Sequence, residues 1–532
     1  MMHDQAALIR ALRNPARYDH VADGVELIET HISWVLLSGA YAYKIKKAVD
    51  LGFLDFSTLE KRRFFCDEEL RLNRRLAPQL YLDVVPISGT PSEPKLNGAG
   101  PVIEYAVKML RFPQDALLDR MLAEGKLMPA QVDALAREVA RFHALISAVP
   151  PPGLGTPDAV QQPVRENFAQ LTERMSELPQ DASLLALRQW SEEEFARRRA
   201  AFAARREHGF VRECHGDLHL GNMAWIDDRP TLFDCIEFNP ALRWIDVIND
   251  MAFAVMDLHD RGRPDLAQRF LNTYLEQTGD FGGLRLLPYY QCYRAMVRAK
   301  VNSIRAGQTG LTAEQQRAAR EQIGAYLHLA AILIRPARPW LLITHGYSGS
   351  GKTTATQLLL EQTRAIRLRS DVERKRLFGL APQARSQSGI DQGLYAPDAH
   401  IRTYRRLEEL AREVLQAGFP AIVDAAFLKR AERDAFRALA LELGIPFIIL
   451  EMRATEDTLR QRVVRREQVG RDASEATLQV LESQLRGAEN ITPAERGWTA
   501  TVNSAPSMKA SLLRLARGLM DNPDKFCQDL IF

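Results

Sequence analysis

Nowhere in this chain do apolar residues run on for the roughly 18 that a membrane-spanning helix needs. The longest candidates, LAAILI at 329–334 and IPFIIL at 445–450, are the size of core segments. The opening stretch MMHDQAALIRALRN has no apolar centre of the kind a secretory signal carries. Cysteine is scarce: Cys66, Cys214, Cys235, Cys292 and Cys527 are scattered, odd in number and never in CxxC spacing. That excludes a disulfide scaffold and a zinc ribbon, and it sets the expectation of a reduced, cytoplasmic protein. Charge of one sign is missing too, since 70 basic residues stand against 67 acidic ones. Such a balance gives no field that would make a membrane surface or nucleic acid the main partner. There is no internal repeat and no low-complexity tract.

What is present is length. At 532 residues the chain exceeds one compact core, so several domains are expected. The clearest boundary is IRPARPW at 334–340, where two prolines end a helical stretch just before an apolar strand. A second soft point is the Pro/Gly loop VPPPGLGTPD at 149–158. Between about 160 and 210 the chain reads as charged helix with a solvated face. Beyond Trp340 short apolar strands (LLITHG, AIRLRSD, FPAIVDA, PFIILEM, TATVNSA) alternate with helical patterns. That alternation predicts an α/β domain with a parallel five-stranded sheet.

The first of those strands runs into HGYSGSGKTT. Gly346, Gly351, Lys352 and Thr353 satisfy G-x-x-x-x-G-K-[ST], with Ser348, Gly349, Ser350 and Thr354 completing the loop. Glycines let successive backbone N–H groups turn toward phosphates, and the helix that follows points its positive end there. Lys352 then reaches the β/γ-phosphates and the Thr353 hydroxyl is placed for Mg²⁺. Asp371 stands at the carboxyl end of the next strand, either accepting the proton of an attacking hydroxyl or capping the following helix. Asp424 closes AIVD, as a water-mediated Mg²⁺ ligand or as a strand-end turn residue. In LRQRVVRREQVGRDASEA, Arg462, Arg465 and Arg466 form either a lid over the transferring phosphoryl group, with Arg462 and Arg465 acting in catalysis, or a basic helix surface. Together with SDVERKR and VDAAFLKRAERD, these motifs resemble the small P-loop kinases grouped with gluconate kinase, zeta-toxin-like kinases and the kinase part of polynucleotide kinase. The resemblance implies that Asp371 engages the acceptor. Ala425 and Ala426 depart from it, because a hydroxyl or amide side chain is expected there.

The 340 residues before that loop hold a second constellation. HGDLHLGN offers Asp217 and Asn222, and the strand-like TLF delivers Asp234. One carboxylate to take a hydroxyl proton, with an Asn and a second Asp to hold Mg²⁺ on phosphates, is an arrangement phosphoryl transfer uses. The motif resembles the aminoglycoside phosphotransferase branch of the protein-kinase-like fold. That resemblance makes Asp217 the base, Asn222 and Asp234 the metal ligands, His215 a brace and His219 incidental; Asp246 and Asp250 are structural supports. It also calls for a Lys–Glu pair upstream. Alternation in AYKIKKAV puts Lys44 and Lys46 on one face, and LEKRRFFCDEELRLNRRL carries Glu68 and Glu69. Lys44 with Glu69 is the preferred pair. A glycine-rich phosphate loop is absent, with only Gly39 in the strand–turn–strand that precedes the lysines.

The whole chain resembles bacterial two-domain proteins labelled bifunctional aminoglycoside phosphotransferase/ATP-binding protein. An α+β bilobal, protein-kinase-like domain is expected over 1–333, with its N-lobe at about 20–110 and its C-lobe at about 111–333. A linker at 334–340 and a P-loop kinase domain over 341–532 follow. The implied activity is ATP- and Mg²⁺-dependent phosphorylation of small hydroxylated metabolites at two sites, GTP remaining open as donor at the second. Nucleic acid and membrane are not expected as partners, and oligomeric state is not legible. Two rival readings are a switch, in which one domain binds nucleotide and regulates the other, and a C-terminal nucleic-acid end kinase.

Overall fold

The computed structural model describes all residues except 1, 53, 176–181, 309–310, 385–396, 470–475, 505–506 and 525–532. The chain divides into two units: 1–134, 141–257 and 296–323 form the first, and 135–140, 258–295 and 324–532 the second. Among the described residues no helix is long and apolar enough to cross a membrane. Cys66, Cys214, Cys235 and Cys292 are free and buried, and Cys527 lies outside the described residues.

In the first unit a helix, Met2–Leu12, precedes a six-stranded antiparallel sheet. Its strands are β1 (Val25–Glu29), β2 (Ser33–Ser38), β3 (Tyr41–Lys46), β4 (Tyr81–Gly89), β5 (Pro94–Leu96) and β6 (Val102–Leu110), in the order β1-β2-β3-β6-β4-β5. The period of two along YAYKIK decides its faces. Tyr43 and Ile45 enter a core with Leu36, Val85, Ile87 and Ala106, while Lys44 and Lys46 point the other way, toward the helix Leu59–Asn73. Thr58 caps that helix through Lys61 N–H at 3.3 Å. Its buried face, Arg62, Cys66, Glu69 and Asn73, recurs at three- and four-residue steps and so brings Glu69 over the sheet. Gly39 (φ +56°) closes the β2–β3 turn, and the preceding turn, Thr30–Ile32, contains no glycine.

Further along, β7 (Val211–Glu213) pairs with β10 (Trp244–Asp246), and between them β8 (Met223–Ile226) and β9 (Arg229–Leu232) form a hairpin. The short 3₁₀ turn Leu220–Asn222 precedes β8. The two ribbons thus frame the segment that carries Asp217, Asn222 and Asp234. Helices Pro157–Arg174 and Ala182–Glu207 occupy the stretch read as charged helix.

In the second unit β11 (Leu341–His345), β12 (Ile366–Arg369), β13 (Ala421–Asp424), β14 (Phe447–Arg453) and β15 (Thr499–Asn503) build one all-parallel sheet, ordered β12-β13-β11-β14-β15. All five lie on the apolar runs named above. β11, β13 and all but the last residue of β14 are buried along their length, as befits strands covered on both faces. The architecture is therefore a protein-kinase-like α+β fold followed by an α/β P-loop fold, as the sequence led one to expect.

Candidate functional sites

The first site is assembled around a backbone brace. Asp250 accepts hydrogen bonds from the N–H groups of His215 (3.0 Å) and Gly216 (2.8 Å), and from His143 Nε2 at 3.1 Å. The His215 ring meets the Phe233 carbonyl at 2.9 Å, tying the Asp217 loop to the strand that delivers Asp234. Of the two expected supports, Asp250 is the one on the loop; Asp246 binds Arg205 instead, at 2.8 Å. Asn222 Nδ2 donates to the Asp217 carboxylate at 2.9 Å and to its backbone carbonyl at 3.0 Å. Asp217 and Asp234 remain one-third and two-fifths exposed, open enough to meet a ligand. Asp234 adopts φ +64°, an uncommon conformation for a non-glycine residue, while its N–H donates to the Tyr81 hydroxyl at 3.1 Å.

Lys44 Nζ lies 2.8 Å from Glu69 and 2.5 Å from Asp234. Burial works against its charge, but the two carboxylates outweigh it and keep the ammonium protonated. Glu69 is fully buried; desolvation raises its pKa, yet Lys44 and Lys46 overcome that and hold it below the usual range. The preferred Lys44–Glu69 pair is thus in contact, and Glu68 faces Arg71 and Arg243. Two further neighbours are His219, read as incidental, and Glu237, which the sequence did not single out. His219 sits with its ring 3.4 Å from Asp217, and Glu237 shares the buried Lys46 with Glu69. The only signal for Glu237 was its place three residues after Asp234.

The second site is a cavity of ≈ 670 Å³ at the carboxyl ends of the parallel strands, where open α/β sheets hold their ligands. The phosphate loop forms one wall. Gly346 has φ +149°, and a Cβ there would stand 2.7 Å from the Met452 carbonyl, so no other residue fits the turn. Gly351, at φ +93°, leads into the helix Lys352–Gln362. Lys352 Nζ donates to the carbonyls of Gly346 and Tyr347, each at 2.8 Å. Burial lowers this ammonium to about 8, against the opposing pull of Asp424 and Asp371. Ser350 Oγ is buried with no hydrogen-bond partner inside the loop, which suits a loop shaped to receive phosphate oxygens. Ser348, Gly349, Thr353 and Thr354 line the same wall.

Opposite it, β12 delivers Arg369, Ser370 and Asp371. The helix Ser370–Leu377 begins without a side-chain cap, and the Asp371 carboxylate pairs with Arg374 at 2.9 Å. Asp424, at the end of β13, accepts from Thr356 Oγ1 at 3.2 Å. Ala425 and Ala426 face the cavity with no polar side-chain atom to offer, and Phe427, beyond them at φ +47°, takes the Tyr404 hydroxyl on its N–H at 3.1 Å. Of the arginines on Glu456–Val469, Arg462 and Arg466 line the cavity; Arg465 is exposed and does not. A step of four residues returns to within about 40° of the same helix face and a step of three misses by about 60°. Arg466 therefore stands where Arg465 was expected. Residues 470–475, the end of the arginine-rich segment, lie outside those described.

Both donor sets suit a hard cation. Asp234 with the amide of Asn222, and Thr353 with Asp424, supply only oxygen and are of the kind that shares Mg²⁺ with phosphates.

Residues 65–287 match the family model described as the phosphotransferase enzyme family, and 341–491 match one described as an AAA domain. Uncharacterized protein Rv2004c of Mycobacterium tuberculosis (strain ATCC 25618 / H37Rv) is 32% identical over 456 residues, covering 85% of this chain and 88% of its own length. A relative from Mycobacterium bovis, uncharacterized protein Mb2027c, gives the same figures of 32%, 85% and 88%. Among solved structures, a gluconokinase from Sinorhizobium meliloti 1021 is 21% identical and aligns over 35% of this chain and 96% of its own, with a TM-score of 0.25. The amicoumacin kinase hAmiN, in complex with AMP-PNP, Ca²⁺ and Ami, is 14% identical over 61% of this chain and 93% of its own, with a TM-score of 0.36.

Proposed function

This chain belongs to the two-domain family of those mycobacterial proteins, a kinase-type phosphotransferase segment followed by a P-loop kinase segment, and on that premise we propose an ATP- and Mg²⁺-dependent phosphotransferase with two active sites. Each site phosphorylates a hydroxyl of a small metabolite. The functional division follows the motifs: 1–333 for the first site, a linker at 334–340, and 341–532 for the second. The observation that carries the reading is that Asn222 holds the Asp217 carboxylate and Lys44 holds that of Asp234, on two segments tied together by the His215 ring on the Phe233 carbonyl, in a chain that also folds a complete phosphate loop.

At the first site Asp217 receives the acceptor's hydroxyl proton while Asn222 Nδ2 fixes its carboxylate orientation. Lys44, held by Glu69, meets the donor phosphates. At the second site Asp371 is the base, the Lys352 ammonium follows the β/γ-phosphates, and Arg462 with Arg466 closes on the charge that develops in transfer. Asn222 and Asp234, and separately Thr353 and Asp424, would hold Mg²⁺, which supplies neutralisation of the phosphate oxygens when bound.

The test incubates the full chain with γ-labelled ATP, Mg²⁺ and a pool of sugars, polyols, nucleosides and aminoglycosides, and detects labelled phosphate esters by mass. Asp217→Asn is expected to lower one ester about 10²–10⁴-fold, the usual weight of a general base, and Asp371→Asn a different one. Nucleotide binding without any ester from wild type would reject the reading in favour of the switch.

A further inference from the structure

Behind the Lys44–Glu69 pair lies a second one that the chemistry above does not use. Lys46 Nζ sits 2.7 Å from Glu69 Oε2 and makes a still shorter contact with Glu237 Oε1. The side chains of Lys46 and Glu69 are fully buried and that of Glu237 is 4% exposed. The two oxygens of Glu69 are therefore divided, Oε1 to Lys44 at 2.8 Å and Oε2 to Lys46. Five side chains alternate in charge from the interior to the site: Glu237, Lys46, Glu69, Lys44, Asp234.

We propose that Lys46 and Glu237 are positioning residues for nucleotide binding at the first site, acting through Glu69 on Lys44. The proposal rests on reading that site as a nucleotide site. Lys46 is walled in, with its ammonium 4.9 Å from the centre of the Phe56 ring, and cannot touch a ligand itself. Its role is to occupy one oxygen of Glu69 so that the other fixes Lys44 beside Asp234. Without the Lys46 charge, two buried carboxylates face each other and the nearest remaining cation is Lys44. Lys44 is then drawn inward, away from the phosphates it should meet. Without Glu237, Lys46 leans wholly on Glu69 and weakens its hold on Lys44.

The experiment uses the full chain carrying Lys352→Ala, so that only the first site binds, and titrates fluorescent methylanthraniloyl-ATP with Mg²⁺. Lys46→Met should weaken binding at least tenfold in the folded protein, and Glu237→Gln several-fold. The double variant, in which Lys44 is no longer drawn toward a second buried carboxylate but Glu69 Oε2 stays without its cation, should bind better than Lys46→Met and remain weaker than the parent. A merely structural role would lower the melting temperature of the single variants and leave the affinity of the folded fraction unchanged. Should Lys46→Met not fold, the isosteric Glu237→Gln still decides. Single variants that fold and bind within twofold of the parent overturn the positioning role. A parent that binds no nucleotide overturns the reading of the site itself, and the positioning role with it.

Discussion

Lys352 carries the most readily measured consequence at the scale of single residues. Its ammonium is lowered to about 8 chiefly by burial, so above that pH the free site holds a neutral amine. Binding a phosphate chain restores the charge, and each bound ATP must then take up a proton. Affinity at this site should be flat between pH 7 and 7.5 and weaken toward about tenfold per unit above pH 8. Titrating ATP against Asp217→Asn/Lys44→Ala, with the first site silenced, reads this directly; a flat profile to pH 9.5 would show the amine is not the group that matters. The lid arginines give a second test. Arg466→Ala should lower ester formation at the second site while the exposed Arg465→Ala leaves it unchanged, as kcat for the two variants will show. Which residue types would be present was legible in the sequence. The phase of the arginine helix was not, because a run of three arginines within five positions fits more than one face.

Among elements, the helix Pro264–Thr278 packs on a strand far from it in sequence. By sequence it falls within the phosphotransferase match at 65–287, and by packing it belongs to the second unit. There it flanks the edge strand of the parallel sheet. Asn272 accepts from Arg367 N–H at 2.7 Å and donates to the Ala365 carbonyl at 3.2 Å, so its amide stands in for a neighbouring strand. Glu276 pairs with Arg367 at 2.7 Å and approaches Arg369 at 3.7 Å. Burial raises the Glu276 pKa, yet the two arginines prevail and hold it below the ordinary carboxylate range. Glu276→Ala strands the buried Arg367 guanidinium and should cost about 3–5 kcal/mol, as breaking a buried pair does; Glu276→Gln, which keeps hydrogen bonding, should cost less. Thermal unfolding followed with and without ATP measures both. The five strands themselves were legible because each is a short apolar run closed by turn residues. Nothing local announced their flanking helix, since its match to them spans about ninety residues of sequence.

For the molecule as a whole, local motifs carried the fold and most of each site. HGDLHLGN and GYSGSGKTT are compact, and their spacing alone fixes which side chains share a loop. The Lys–Glu contact was within reach because strand alternation turns Lys44 and Lys46 to one face, and both touch Glu69. The Lys46–Glu237 pair was out of reach, as it joins residues 191 positions apart that no motif links. Two phosphoryl-transfer sites on one chain remain the central claim. The most direct measurement is the pattern of phosphate esters, by mass spectrometry, from wild type, Asp217→Asn and Lys352→Ala with the same ATP, Mg²⁺ and acceptor pool. Each variant should lose a different ester and keep the other. One variant silencing every product while the other silences none would contradict the claim and leave a single catalytic domain beside a regulatory one.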